Sequence, residues 1–146
     1  MKLCVATMLL CAGYAAGGQA EYVGGTVSAL SQGHGGSVEA TDQKFFVFYS
    51  KKASVRIPYE QINLVEYGQK VDRRYLSAAL ISPLLILAKK RTHFLTVGYK
   101  DEEGHQQAMV FRIEKSAIRS LLVSLEARTG LKIQFQDEEA RKAGKG

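Results

Sequence analysis

Three histidines are the side chains best suited to proton transfer or metal binding near neutral pH. His34 lies in a glycine-rich stretch, His93 begins an apolar segment, and His105 follows an acidic run. Metal-binding motifs such as H-x-x-x-H place two histidines on one face of a helix, and no pair here has that spacing. Catalysis would require His93 or His105 to meet carboxylates that the sequence does not place beside them. We therefore expect no metal site and no histidine-based catalysis.

Motifs for a serine nucleophile or a bound phosphate are also missing from the sequence. The serine elbow G-x-S-x-G does not occur. The glycines of Gly33–Gly36 lack both the Lys-Ser/Thr ending and the following helix of a phosphate-binding loop. Asp101–Glu103 is typical of a solvated turn. We therefore expect a protein that is not an enzyme and that has no cofactor.

A segment between two predicted strands combines apolar and basic residues in an unusual way. Tyr75–Ala88 contains 14 residues without a charge, and five basic residues bracket it. As a helix, this stretch would be about 21 Å long, whereas the hydrocarbon core of a bilayer is about 30 Å thick, and Pro83 would kink or end the helix. We therefore predict an apolar helical insertion at about 70–91, and not a membrane span.

Two interpretations of this insertion remain open. In the first, its Leu and Ile side chains pack against the rest of the domain. In the second, it is an interaction surface that enters a membrane interface or contacts a protein partner, with its basic residues on anionic groups. Each basic residue near an anionic surface contributes about 1 kcal/mol. The candidate interaction surface consists of Arg73, Arg74, Leu80, Ile81, Leu84, Leu85, Leu87, Lys89, Lys90 and Arg91.

The first 20 residues have the features of a secretory signal peptide. Lys2 precedes a short apolar run, and Gly18-Gln19-Ala20 supplies small residues at −3 and −1 of a cut before Glu21. We expect residues 1–20 to be removed and the protein to be exported, to the periplasm or out of the cell. A membrane anchor and a lipoprotein linked through Cys11 are the alternatives. The run is short for a span, and leucines precede Cys11 where a lipoprotein has small residues.

Loss of this segment changes the composition of the mature chain. Both cysteines lie in it, so disulfides, thiol nucleophiles and cysteine metal sites are excluded. The whole chain has 20 basic and 14 acidic residues and a net charge of +6, and the excess is concentrated in 70–91. Nucleic-acid binding requires a basic stripe interleaved with aromatic residues, but here the aromatic residues accompany the strands. We therefore expect no nucleic-acid partner.

Seven short strands are predicted before residue 114. Apolar or alternating runs are separated by turns rich in Gly, Asp or Lys. The predicted strands cover 22–30, 37–41, 45–49, 54–57, 62–67, 93–100 and 107–113. The hydrophobic period then changes to that of an amphipathic helix, which we expect to begin at an N-cap Ser116 and to end at Gly130. A short strand over 131–135 and a charged flexible tail over 137–146 complete the prediction.

Seven strands followed by one helix are the element order of the pleckstrin-homology-like (PH-like, GRAM-like) barrel. The motifs PYEQI (58–62), HFLTVGY (93–99) and EARTG (126–130) resemble those of small bacterial secreted proteins with such a domain. The resemblance implies a mainly β fold in a single domain, 21–136. In that fold two nearly orthogonal sheets form a barrel whose open end is closed by the helix. The resemblance implies no activity.

Two departures from lipid-binding PH domains bear on the partner. The predicted first hairpin loop, Ser31–Ser37, contains no Lys or Arg, and the final helix contains no Trp. We therefore expect no phosphoinositide partner. The best interpretation is an exported, non-enzymatic binding or scaffold protein whose partner is a protein or an anionic membrane surface. A peripheral membrane protein attached through 70–91 is the alternative, and an enzyme is the third.

Overall fold

Eight strands of one sheet make up most of the structure. The computed structural model describes residues 17–69, 92–136 and 138–145. Two helices follow the seventh and eighth strands, α1 (Lys115–Thr129) and α2 (Glu138–Lys145), and a 3-10 turn covers Tyr59–Gln61. The strands are β1 (Gly17–Gly25), β2 (His34–Glu39), β3 (Phe45–Ser50), β4 (Ser54–Pro58), β5 (Ile62–Gly68), β6 (His93–Lys100), β7 (Gln106–Ile113) and β8 (Gln134–Phe135).

The strands form two antiparallel meanders that are joined in the middle of the sheet. The strand order is β4-β3-β2-β1-β7-β6-β5-β8, so β1 is paired with β2 on one side and with β7 on the other. Among the strand pairs of the described residues, only the short pairing between β5 and β8 is parallel. In the part of the chain that the structure describes, β4 and β8 are the edge strands and the sheet does not close on itself.

Aromatic rings from three strands form the centre of the core. The ring of Phe111 on β7 lies 6.0 Å from that of Tyr22 on β1, and 6.0 and 5.0 Å from those of Phe46 and Phe48 on β3. All four side chains are almost completely buried. Aromatic pairs at these separations add to the free energy gained by burial of their area. The rings therefore hold the two meanders together where β1 meets β7.

Helix α1 covers the core with one apolar stripe. Its buried residues recur at helical spacing: Ala117, Ile118, Leu121, Leu122 and Leu125. The helix ends where Gly130 adopts the left-handed conformation, at φ 72°, as its predicted role as a stop requires. The N-cap is Glu114 and not the predicted Ser116, and no side chain caps the helix. The helix begins two residues earlier than predicted because the N–H of Glu114 donates to the carbonyl of Gln19 on β1, at 3.2 Å.

The mainly β fold predicted from the sequence is confirmed, with one large difference at the N-terminus. Strand β6 matches its prediction residue for residue, whereas β1 covers Gly17–Gly25 instead of 22–30. It therefore includes four residues that the sequence assigns to the signal peptide. These residues have low strand propensity, but β2 pairs with all four of them and β7 pairs with Ala20. Tertiary pairing therefore decides the start of this strand.

Helix α2 occupies a stretch where the sequence predicts a charged flexible tail. Ala140 is fully buried. A Cβ atom on Gly144 would lie 2.7 Å from the Phe135 ring and 3.1 Å from Leu122. The helix therefore approaches β8 and α1 through small residues, while Arg141 pairs with Glu138 on its exposed side, at 2.6 Å. Small contact residues within a charged sequence give little apolar periodicity, so the tail shows no helical signal.

Candidate functional site

An open cleft of about 1620 Å³ lies beside the centre of the sheet. Its walls come from β1, β2, the turn between β3 and β4, the end of β7 and the start of α1. Gln69, which follows β5, and Thr92, which precedes β6, complete the lining. The charged residues on this surface are Glu21, Lys51, Lys52, Arg112, Glu114 and Lys115.

An ion pair between two neighbouring strands lies in this cleft. Glu21 on β1 is directly opposite Arg112 on β7, and the Arg112 guanidinium donates to Oε2 of Glu21. Both side chains are about one quarter to one third exposed, at 23% and 33%. Directly opposed opposite charges stabilise an antiparallel pair. Because Glu21 compensates Arg112, the remaining charges of the cleft are those of Lys51, Lys52, Lys115 and Glu114, which leave an excess of two positive charges.

A buried histidine and tyrosine form the second polar feature of the cleft. The hydroxyl oxygen of Tyr67 lies 2.5 Å from Nδ1 of His93, and the two rings stack with centroids 5.9 Å apart. Burial, and then the nearby Lys115, lower the pKa of His93, while burial raises the pKa of Tyr67. Both groups are therefore neutral at neutral pH. The proton of this hydrogen bond comes either from the Tyr67 hydroxyl or from Nδ1 of His93, depending on the tautomer of the ring.

This arrangement lacks the parts of a catalytic triad. A general base that activates a nucleophile is oriented by a third group, usually a carboxylate that also stabilises its protonated form. Among the contacts of the described residues, His93 has a phenol in that place, and its lowered pKa disfavours the protonated ring. His34 also lines the cleft.

The third histidine belongs to the turn between β6 and β7. Nδ1 of His105 lies 3.5 Å from Asp101 and 3.4 Å from Glu103 in this exposed turn. The Asp101 carboxylate also accepts hydrogen bonds from the Gln107 side chain and from two backbone N–H groups. These bonds, the one from Gln107 foremost, lower the pKa of Asp101. In the described ranges, no three His, Cys, Asp or Glu side chains are grouped so that they could hold a metal ion.

The predicted interaction surface lies outside the described residues. This applies to all ten of its members: Arg73, Arg74, Leu80, Ile81, Leu84, Leu85, Leu87, Lys89, Lys90 and Arg91. The apolar insertion predicted at about 70–91 lies outside them too. Its two flanking residues, Gln69 and Thr92, both line the cleft. No helix of the described part of the chain is long and apolar enough to cross a bilayer.

Sequence reasoning missed the cleft because its residues come from distant parts of the chain. Glu21 and Arg112 are 91 positions apart, and they meet only because β1 pairs with β7. Lys51 and Lys52 mark a turn in the sequence, and nothing local indicates that this turn overhangs the middle of β1. The opposite charges of Glu21, directly before the first predicted strand, and Arg112, on the seventh, were the available signal, but its use requires the strand order. A comparison with protein-family models and one with curated proteins found no match.

Proposed function

We propose that the chain is an exported, non-enzymatic binding protein that takes an acidic protein surface at the cleft. The position of the excess positive charge carries this proposal. Lys51, Lys52 and Lys115 line the cleft, and residues 70–91, which contain six Lys or Arg and one Asp, join the described structure there at both ends. Concentrated charge of one sign attracts and orients a partner of the opposite sign.

The non-enzymatic part of the proposal is supported by the environment of His93. Its partner is Tyr67 at 2.5 Å, and its pKa is lowered, so it is poorly suited to accept and hold a proton. The three lysines of the cleft are instead suited to bind carboxylates through charge and hydrogen bonds.

A PH-like barrel is the architecture that we propose for this binding protein. Two features of the sheet support it. The chain runs through two consecutive antiparallel meanders, β1–β4 and β5–β7, and α1 follows directly and buries its apolar stripe against them. Both features, consecutive strands that pair with each other and a helix that follows the last meander, are expected of a PH-like domain.

Charge reversal in the cleft tests the proposed function. The mature protein is titrated with a poly-glutamate peptide at low ionic strength, and binding is measured by calorimetry. We expect the double variant Lys51→Glu, Lys52→Glu to bind at least about tenfold more weakly, since each lysine contributes about 1 kcal/mol near an anionic surface. The matched control reverses two exposed lysines that do not line the cleft, Lys100 and Lys132. An equal loss in both variants would show that only total charge matters and would contradict the proposal.

Peripheral attachment to an anionic membrane is a second candidate function. It is favoured because the predicted interaction surface is connected in the chain to Gln69 and Thr92, which line the same cleft as Lys51, Lys52 and Lys115. The test is flotation with phosphatidylglycerol vesicles and with phosphatidylcholine vesicles. Attachment through the apolar segment predicts binding to the anionic vesicles that Leu84→Asp with Leu85→Asp abolishes. Binding that survives these substitutions would exclude insertion as the anchor.

A further inference from the structure

Four residues upstream of the expected cleavage site belong to the central strand of the sheet. Gly17, Gly18, Gln19 and Ala20 lie opposite Glu39, Val38, Ser37 and Gly36 of β2. Ala20 is also opposite Ile113 of β7, and it is buried, at 7% exposed. Residues 17–20 therefore contribute to the fold like the rest of β1.

The two glycines of this stretch have a packing role. A Cβ atom on Gly18 would lie 2.2 Å from Cβ of Ala117 on α1, and one on Gly17 would lie 2.6 Å from the carbonyl oxygen of Val38. Such distances are too short for non-bonded atoms, so only glycine allows β1 to lie this close to α1 and β2. In the sequence alone, Gly18 is equally well explained as the small residue at −3 of a cut.

A cut before Glu21 would damage the structure in two ways. It would remove four of the six residue pairs between β1 and β2, together with the carbonyl of Gln19 that accepts from the N–H of Glu114. It would also create an ammonium group on Glu21, which is paired with Gly35 of β2 and with Arg112 of β7. A charged chain end would then lie between two paired strands.

We infer that the mature protein keeps Gly17–Ala20, so that any leader is cut upstream of Gly17. The cleavage of a leader rests on the proposed function, because a leader is removed only if the protein is exported. A suitable bond exists upstream, because a cut after Ala15 has small residues at both −1 and −3, Ala15 and Gly13. The retained residues complete β1 and close one wall of the cleft, which Gln19 and Ala20 line.

Intact-mass measurement of the full-length chain, expressed in a bacterial host and recovered from each cell fraction, tests the inference directly. We expect a mass that corresponds to an N-terminus at or before Gly17 in the exported fraction. A mass that corresponds to an N-terminus at Gly18 or any later residue, Glu21 included, would overturn the inference. An uncut chain confined to the cytoplasm would overturn the export proposal while it upholds the retention of residues 17–20, so the two failures are distinguishable.

Purified chains that begin at different residues test, without any export, whether residues 17–20 contribute to the stability of the fold. Each chain carries only an initiator Met before Gly13, Gly17 or Glu21. We expect the chain that begins at Glu21 to melt about 10 °C or more below the one that begins at Gly17. The matched control is the change from Gly13 to Gly17, which also removes four residues and is expected to leave the melting temperature unchanged. Equal melting temperatures for the chains that begin at Gly17 and Glu21 would contradict the inference.

Discussion

The hydroxyl of Tyr22 lowers the stability of an otherwise well-packed core. The side chain is 1% exposed, and its oxygen has no hydrogen-bond partner among the described residues. Burial, only partly offset by the nearby backbone of Val27, raises the pKa of Tyr22 to about 12. A buried polar group without a partner loses its bonds to water and regains nothing in the fold.

Replacement of this tyrosine by phenylalanine should therefore stabilise the protein. Tyr22→Phe keeps the ring contacts with Phe48 and Phe111 and removes the unpaired hydroxyl. We expect the free energy of unfolding, measured by urea denaturation, to rise by about 1 kcal/mol. The matched control is Tyr59→Phe, because the Tyr59 hydroxyl donates to the carbonyl of Asp42 at 3.1 Å and its loss should destabilise. Destabilisation by Tyr22→Phe would mean that the hydroxyl has a partner after all.

His93 gives the protein a sensitivity to mild acid. Burial first, and Lys115 second, lower the pKa of His93 below its usual value of 6.5, so the unfolded chain binds a proton more readily than the fold does. Stability is therefore complete above about pH 6.5 and decreases as the pH falls from there towards the folded pKa. We expect the loss of unfolding free energy between about pH 7.5 and about pH 5 to be smaller in His93→Gln than in the wild type. His34→Gln is the matched control and should retain the wild-type loss.

At the scale of elements, the close contact between β1 and α1 depends on glycine at position 18, which has no side chain. We expect Gly18→Ala to lower the unfolding free energy by about 1 to 3 kcal/mol, because its new methyl group would overlap that of Ala117. Ala117→Gly should recover part of this loss, although glycine in a helix costs about 1 kcal/mol by itself. Gly35→Ala is the control, since nothing lies within 4 Å of a Cβ there. Additive effects at positions 18 and 117 would show that the two residues are not in contact.

Elements with a strong local pattern were predictable, and elements defined by their neighbours were not. HFLTVGYK predicts β6 from His93 to Lys100 because every residue fits a buried strand, and the leucine spacing predicts α1. The start of β1 consists of Gly17, Gly18 and Gln19, which have low strand propensity and depend on β2 for their pairing. Likewise, α2 depends on contacts of Ala140 and Gly144 that hydropathy does not reveal.

At the scale of the whole molecule, three buried tyrosines and the half-buried Tyr99 make the fold sensitive to alkali. Burial raises the pKa of Tyr22, Tyr59, Tyr67 and Tyr99 above 10.0, so the unfolded chain loses these protons first. Stability is therefore complete below about pH 10 and falls as the pH rises above it. We expect the tyrosinate absorbance to increase over the same pH range in which the β-sheet circular dichroism signal decreases. Ionisation of all seven tyrosines before any loss of structure would contradict this coupling.

The candidate site is a property of the whole molecule, and this explains how little of it the sequence revealed. The basic flanks of 70–91 are contiguous in the sequence and could be recognised there. The cleft combines β1, the Lys51-Lys52 turn and the end of β7, and no local pattern contains that combination. His93 was a candidate by residue type alone, and only the pairing of β5 with β6 explains why Tyr67 is its partner.

The central position of the earliest strand determines when the protein can finish folding. Strand β1 is synthesised first, but its partner β7 ends at Ile113, and contacts between such distant residues slow folding because a long loop must close first. Until β7 is available, the first meander presents one side of β1 as an open edge, which other chains can pair with. A ribosome-stalled chain that ends before β7 should therefore require a chaperone to stay soluble, whereas a chain released beyond α1 should not.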